Sequence, residues 1–154
     1  MKIVTIDFET EEIVKGSQFP PRPVGVAVKH IGCKGRYYAW GHPSKNNCTT
    51  QKAQEVLLDL FKHYRCLFHH AKFDISVGMT WFYLPMPTEW EDSLFLAYLH
   101  NPRENSLKLK DLGETVLSMP PDEQKELRIW LITNYPPAKR AKTKWGKYIA
   151  YAPG

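Results

Sequence analysis

The stretch Lys2–Thr10, KIVTIDFET, constrains this chain more than any other. Ile3, Val4 and Ile6 make a short, β-branched apolar run, which reads as a buried central strand rather than a helix. The run ends in Asp7 and Glu9. Residues two apart on a strand point to the same face, so these two carboxylates project side by side from its carboxyl end. Carboxylates held together repel at neutral pH, and an oxygen-only pair suits a hard cation, Mg²⁺ or Mn²⁺. Taken alone, an Asp-x-Glu pair reads more simply as two loop carboxylates after a strand. The rest of the chain reverses that reading.

With 154 residues the chain has the length of one domain, able to bury roughly 70% of its unfolded surface. A hydrophobic content of 43% and a charged content of 24% exclude a disordered or fibrous protein. No segment approaches the ~20 apolar residues of a membrane span, and Met1 leads into a strand without a secretory segment. Cys33, Cys48 and Cys66 are odd in number and lack Cys-x-x-Cys spacing. That usage argues for a reducing, cytoplasmic compartment and against a disulfide framework or a zinc site. The net charge of +5 permits a polyanionic partner.

After Glu9, a loop from Glu11 to Pro23 leads into Val24–His30, whose alternation marks a half-buried strand. A turn at Gly32–Gly35 and a strand at Arg36–Trp40 complete a hairpin. Gln51–Tyr64 carries Ala53, Val56, Leu57, Leu60, Phe61 and Tyr64 at helical spacing, with Thr49 or Thr50 as cap. Cys66–Phe68 should return through that helix as a parallel strand. Trp90 lies at or near another short strand, and Asp92 can cap a helix through Leu94–Leu99. Ser106 can cap the next helix, where Leu109, Leu112 and Val116 share a face. Pro120 or Pro121 starts a third, with Asp122 and Glu123 in its first turn and Leu127, Trp130 and Leu131 on its apolar side; Pro136 and Pro137 stop it. The expected architecture is α/β: three antiparallel strands, then parallel strands, flanked by helices, in one domain.

Asp74 follows the predicted parallel strand, where ligands gather at the carboxyl ends of an α/β sheet. Three carboxylates converging there suit two-metal phosphoryl hydrolysis, with cations ~3.5–4 Å apart. The residues carrying this pattern resemble the DEDD (DnaQ-like) 3′–5′ exonucleases. Asp7-Phe8-Glu9-Thr10 looks like the first motif, and His70-Ala71-Lys72-Phe73-Asp74 like the second, usually Asn-x-x-Phe/Tyr-Asp. Glu91–Leu99 followed by Ser106–Leu112 is similar to segments of the proofreading domains of family A DNA polymerases. Tyr151-Ala152-Pro153-Gly154 resembles the start of the third motif, Tyr-x-x-x-Asp.

The resemblance implies a ribonuclease H-like fold that removes nucleotides from a DNA 3′ end. By that analogy Asp7 bridges two Mg²⁺ or Mn²⁺ ions, Glu9 ligates the tighter one, and Asp74 holds the other through water. Tyr151 bonds the attacking water and Ile13 lies against the terminal base. Two departures stand out. His70 replaces the motif's Asn, and the chain ends at Gly154, one residue before the third motif's Asp. The expectation is therefore a longer natural protein, with a final helix and a polymerase domain beyond. Without that docking, Tyr151 is expected to fray at a terminus.

His69 and His70 as a metal pair are disfavoured, because adjacent strand residues face opposite ways. Asp92 reads as a helix cap rather than a ligand. The tail Lys139, Arg140, Lys142, Lys144 and Lys147 surrounds Trp145, a pattern suited to single-stranded nucleic acid and equally to a solvated, mobile linker. Expected nucleic-acid contacts are thus Ile13, His70, Lys72, Lys139, Arg140, Lys142, Lys144 and Trp145. Three functions follow: a DNA 3′–5′ exonuclease, a catalytically impaired nucleic-acid-binding module of the same fold, and an RNase D-like RNA-trimming enzyme.

Overall fold

In the computed structural model, the described residues are 2–119 and 125–154, the side chains of 125 and 142–145 excepted. The expected helix start at Pro120 or Pro121, and Asp122 and Glu123, therefore lie outside the described residues.

β1 (Ile3–Thr10) is the centre of a five-stranded mixed sheet with order β3-β2-β1-β4-β5. β2 (Pro23–His30) and β3 (Arg36–Ala39) add to it antiparallel on one side. β4 (Arg65–Phe68) and β5 (Glu89–Asp92) add to it parallel on the other. The expected sheet is thus the observed one. Its cause is visible in β1, where Val4, Ile6 and Phe8 are buried while Thr5 and Asp7 turn the other way.

α1 (Thr50–His63) links the hairpin to β4. The Thr49 hydroxyl accepts the Lys52 N–H at 3.1 Å, satisfying one of the unpaired donors of the first turn. Its apolar stripe buries Ala53, Leu57, Leu60 and Phe61 in the main core, beside Val4, Ile6, Val26, Cys66, Phe68 and Val77. α2 (Ala71–Phe82) follows β4 and buries Ile75, Val77, Gly78 and Phe82. All three cysteines are free thiols. Among the described residues, no helix is long and apolar enough to cross a membrane.

The second half is helical. α3 (Ser93–His100) and α4 (Leu109–Leu117) bury no residue fully. Asp92 caps α3 as expected, its carboxylate accepting the Leu94 N–H at 3.0 Å. The cap position of α4 is Lys108 rather than Ser106, whose hydroxyl bonds the Asp111 carboxylate. Leu109 and Val116, read as part of a packed face, are each 56% exposed. α5 covers Lys125–Asn134.

α5 ends at Asn134, before the prolines expected to stop it, and the same prolines open α6 (Pro136–Arg140), where a missing N–H costs nothing. A 3₁₀ segment, Lys142–Tyr151, follows. Leu131, Ala138 and Ala152 form a second, small core with Leu127, Tyr135, Tyr148 and Ile149 against it. The Lys147 ammonium bonds Glu12 just beyond β1 at 2.7 Å. The tail backbone is therefore folded against the domain, not a free linker.

Candidate active site

β1 and α2 bring the three expected carboxylates to one end of the sheet. Asp74 lies in the first turn of α2, is 2% exposed, and accepts the Phe8 N–H at 2.9 Å. Phe8 separates Asp7 from Glu9, so this single bond fixes the α2 start against the strand that carries both acids. Burial raises the Asp74 carboxyl to about 7, with Asp7 and Asp92 adding to the rise and the Phe8 N–H opposing it. Glu9 is also raised to about 7, by burial and then by Asp7, with Lys110 opposing. Asp7 touches solvent through the cleft but is recessed in it. That loss of hydration raises its carboxyl, while His69 pulls the other way. Asp7 thus raises both of the other acids.

Their oxygen-only chemistry fits a hard divalent cation, which would relieve the shared repulsion. Among the described residues, no three or more His, Cys, Asp or Glu side chains already stand close enough together to hold a metal.

Asp7 opens into a cleft of about 940 Å³, lined by His69, Ser93, Leu96, Lys110, Leu112 and Val116 among others. The expected outer contacts are spread around it. His70 and Lys72 are exposed at the start of α2, and His70 lines a smaller neighbouring cleft. Ile13 is 61% exposed in the loop after β1 and does not line the large cleft. Lys139 and Arg140 are exposed on α6, outside both clefts. The side chains of Lys142, Lys144 and Trp145 lie outside the description.

Tyr151 stacks on Tyr135 at 4.6 Å between centroids and is not a wall of the large cleft. Its surroundings correct the expectation of fraying. The imidazole of His42, 6% exposed, donates from Nδ1 to the Ala152 carbonyl at 2.8 Å, and Gly154 N–H bonds Ser44 O at 2.9 Å. With Nδ1 donating, His42 Nε2 accepts the Tyr37 hydroxyl at 2.6 Å. Tyr37 in turn lies over Gly25, where any side chain would collide with its ring, and Gly25 is the register partner of Glu9. Burial, Glu9 and Asp7 all push the Tyr37 phenol up. The end of the chain is thus wired, through His42 and Tyr37, to the neighbourhood of Glu9.

Three contributors were hidden in the sequence. Asp92, 7% exposed, does more than cap α3: its oxygens accept His70 N–H at 2.9 Å and Ala71 N–H at 2.8 Å. It thereby caps α2 from another element, where His70 in the left-handed region supplies no side-chain cap. No local spacing announces such a cross-element cap. His69 and Lys110 were legible only as ordinary polar residues, because the register that sets them near Asp7 and Glu9 is tertiary.

No family model and no curated protein sequence matches this chain. Solved structures do. NrnC from Brucella melitensis bound to pGG superposes with a TM-score of 0.59 at 19% identity, over 76% of this chain and 53% of that one. A structure described as the apo form of the nuclease gives 0.60 at 18% identity, over 79% and 55%. Brucella melitensis NrnC with bound Mg²⁺ gives 0.58 at 15% identity, over 96% and 81%. This chain spans just over half the length of the first two. The mixed sheet with its flanking helices is therefore the fold of these nucleases.

Proposed function

We propose that this chain is a metal-dependent nuclease that removes nucleotides from the 3′ end of single-stranded nucleic acid. The observation that carries the reading is the group Asp7, Glu9 and Asp74 at one end of the sheet: Asp7 opens into the cleft, and Glu9 and Asp74 behind it are raised to about 7. Acids so destabilised in ionised form are what a pair of divalent cations would compensate. Cations bound there would supply the chemistry of lowering a water's pKa and neutralising the leaving oxygen. Asp7 and Glu9 would hold them from β1 and Asp74 from α2, with the Phe8 N–H keeping Asp74 in reach. Tyr151 is the candidate for orienting water, and the exposed Lys72, Lys139 and Arg140 for contacting phosphates beyond the cleft. Neighbours bound to Mg²⁺ and to pGG support both the cation and the class of ligand.

The DNA proofreading reading rests on the Asp92–Leu112 resemblance; the NrnC neighbours favour the RNA-trimming reading as much. One experiment separates them. Labelled single-stranded DNA, single-stranded RNA and the dinucleotide pGG are incubated with Mg²⁺, Mn²⁺ or EDTA. The expected result is stepwise shortening from the 3′ end, stopped by EDTA, with the faster strand naming the substrate. Retention of the strands without any cleavage would instead favour the binding module.

A further inference from the structure

Asp92 is not among the three acids placed in the candidate metal site, yet it holds the turn that presents one of them. It closes β5 opposite Phe68, so the end of β4 and the start of α2 run beside it. The residue is 7% exposed, and its carboxylate accepts three N–H groups. Oδ1 takes those of His70 at 2.9 Å and Leu94 at 3.0 Å, and Oδ2 takes that of Ala71 at 2.8 Å. One side chain thus caps α2 and α3 together.

Between β4 and α2, His70 sits at φ 71° and ψ 54°, in the left-handed region that residues with a side chain avoid. Strain of that kind persists only where the surroundings impose it. Here Asp92 grips two consecutive N–H groups, on the strained residue and on the one after it. Three residues beyond Ala71 comes Asp74, whose carboxylate reaches back to the Phe8 N–H on β1. The turn at His70 therefore sets the direction in which α2 leaves the sheet, and with it where Asp74 stands beside β1. One turn along α3 from the same carboxylate, Leu96 and Ala97 line the large cleft.

We propose that Asp92 is a positioning residue of the candidate metal centre, which fixes Asp74 beside Asp7 and Glu9 by holding His70 in the left-handed turn. The proposal rests on the nuclease reading and adds a residue to its site.

Calorimetric titration with Mn²⁺ and amide exchange of the metal-free protein test it together, at a temperature where circular dichroism shows the variants folded. Asp92→Asn is as good a cap for α3 as the parent residue, but it offers one oxygen. Its amide nitrogen, a donor, would face the buried N–H of Ala71. The variant should bind Mn²⁺ roughly ten-fold more weakly. Its Phe8 amide should exchange faster, while Val26 and Val28 on the interior strand β2 exchange as in the parent. Asp92→Glu keeps both oxygens on a longer arm and should show the same changes at smaller size, which keeps the test open if Asp92→Asn fails to fold.

The charge of Asp92 would itself favour a nearby cation, so a second substitution separates charge from position. Glycine takes the left-handed turn without strain, and adding His70→Gly to either variant should recover affinity roughly three-fold or more and slow the Phe8 exchange. Affinity that His70→Gly does not recover would assign the loss to charge and overturn the positioning role. Parent-like affinity in Asp92→Asn and Asp92→Glu would overturn it as well. Failure of the parent protein to bind Mn²⁺ overturns the nuclease reading and the assignment with it.

Discussion

The two halves of this molecule are held together by different means. From β1 to α2 the sheet buries a large continuous core of aromatic and branched side chains, and α1 alone contributes four fully packed residues. From α3 onward the helices bury little: α3 and α4 have no buried residue, and the small core reduces to Leu131, Ala138 and Ala152. The three acids belong to the first half, carried on β1 and α2 beside the main core. The cleft belongs to both, since α3 and α4 supply most of its lining. Rigid packing is spent on holding like charges together, and the loosely packed half shapes the space in front of them.

The largest expected effect tests the first half. If the nuclease reading holds, Asp7→Asn should cost several kcal/mol of transition-state stabilisation, on the order of 10³-fold in rate, while leaving the fold intact. Circular dichroism and a cleavage assay on the same samples measure the two separately. Packing comes next. Leu57→Ala should destabilise by about 2–5 kcal/mol in denaturant unfolding, whereas Leu96→Ala, on a helix that is nowhere buried, should change stability by about 0.5 kcal/mol or less. Comparable losses at the two sites would erase the contrast between the halves.

Charge in the site gives a smaller, signed effect. Glu9 and Asp74 ionise near 7 in the folded chain, against ordinary values of 4.5 and 3.8. Between those ordinary values and about 7 the folded state binds more protons than the unfolded one. Metal-free stability should therefore fall as pH rises through that window. Asp74→Asn keeps an acceptor for the Phe8 N–H but removes a charge. It should raise the metal-free melting temperature at pH 8 by a few degrees and flatten the pH dependence. An unchanged pH profile would show that the acids do not strain the fold.

How far these features were legible differs along the chain for physical reasons. Strands β1 and β4 and helix α1 announce themselves because their periodicity and their burial coincide: Val4, Ile6 and Phe8 alternate in, and Leu57, Leu60 and Phe61 recur at helical spacing. The carboxylates were legible through Asp7-x-Glu9 and the strand before Asp74. Beyond α3 the pattern misleads, because apolar spacing there does not report burial, as Leu109 and Val116 show. Pro136 and Pro137 follow the end of α5 as read, and they also start α6, since the same missing N–H permits both. The docking of the tail through His42 and Tyr37 depends on contacts across 110 residues of sequence. No local rule carries those.

That latch gives the smallest effect. His42→Phe removes both bonds and should cost about 1–3 kcal/mol. The change should surface as faster amide exchange at residues 148–154 with exchange in β1 and β4 nearly unchanged. Uniform acceleration would mean that the tail and the sheet open as one unit.

The central claim is that Asp7, Glu9 and Asp74 together hold divalent cations. Calorimetric titration of the metal-free protein with Mn²⁺ at pH 7.5 tests it without reference to any substrate. Saturable binding is predicted for the parent chain, with release of protons as the raised carboxyls ionise, and loss of that binding in both Asp7→Ala and Asp74→Ala. Equal binding by the parent and both variants would contradict the account.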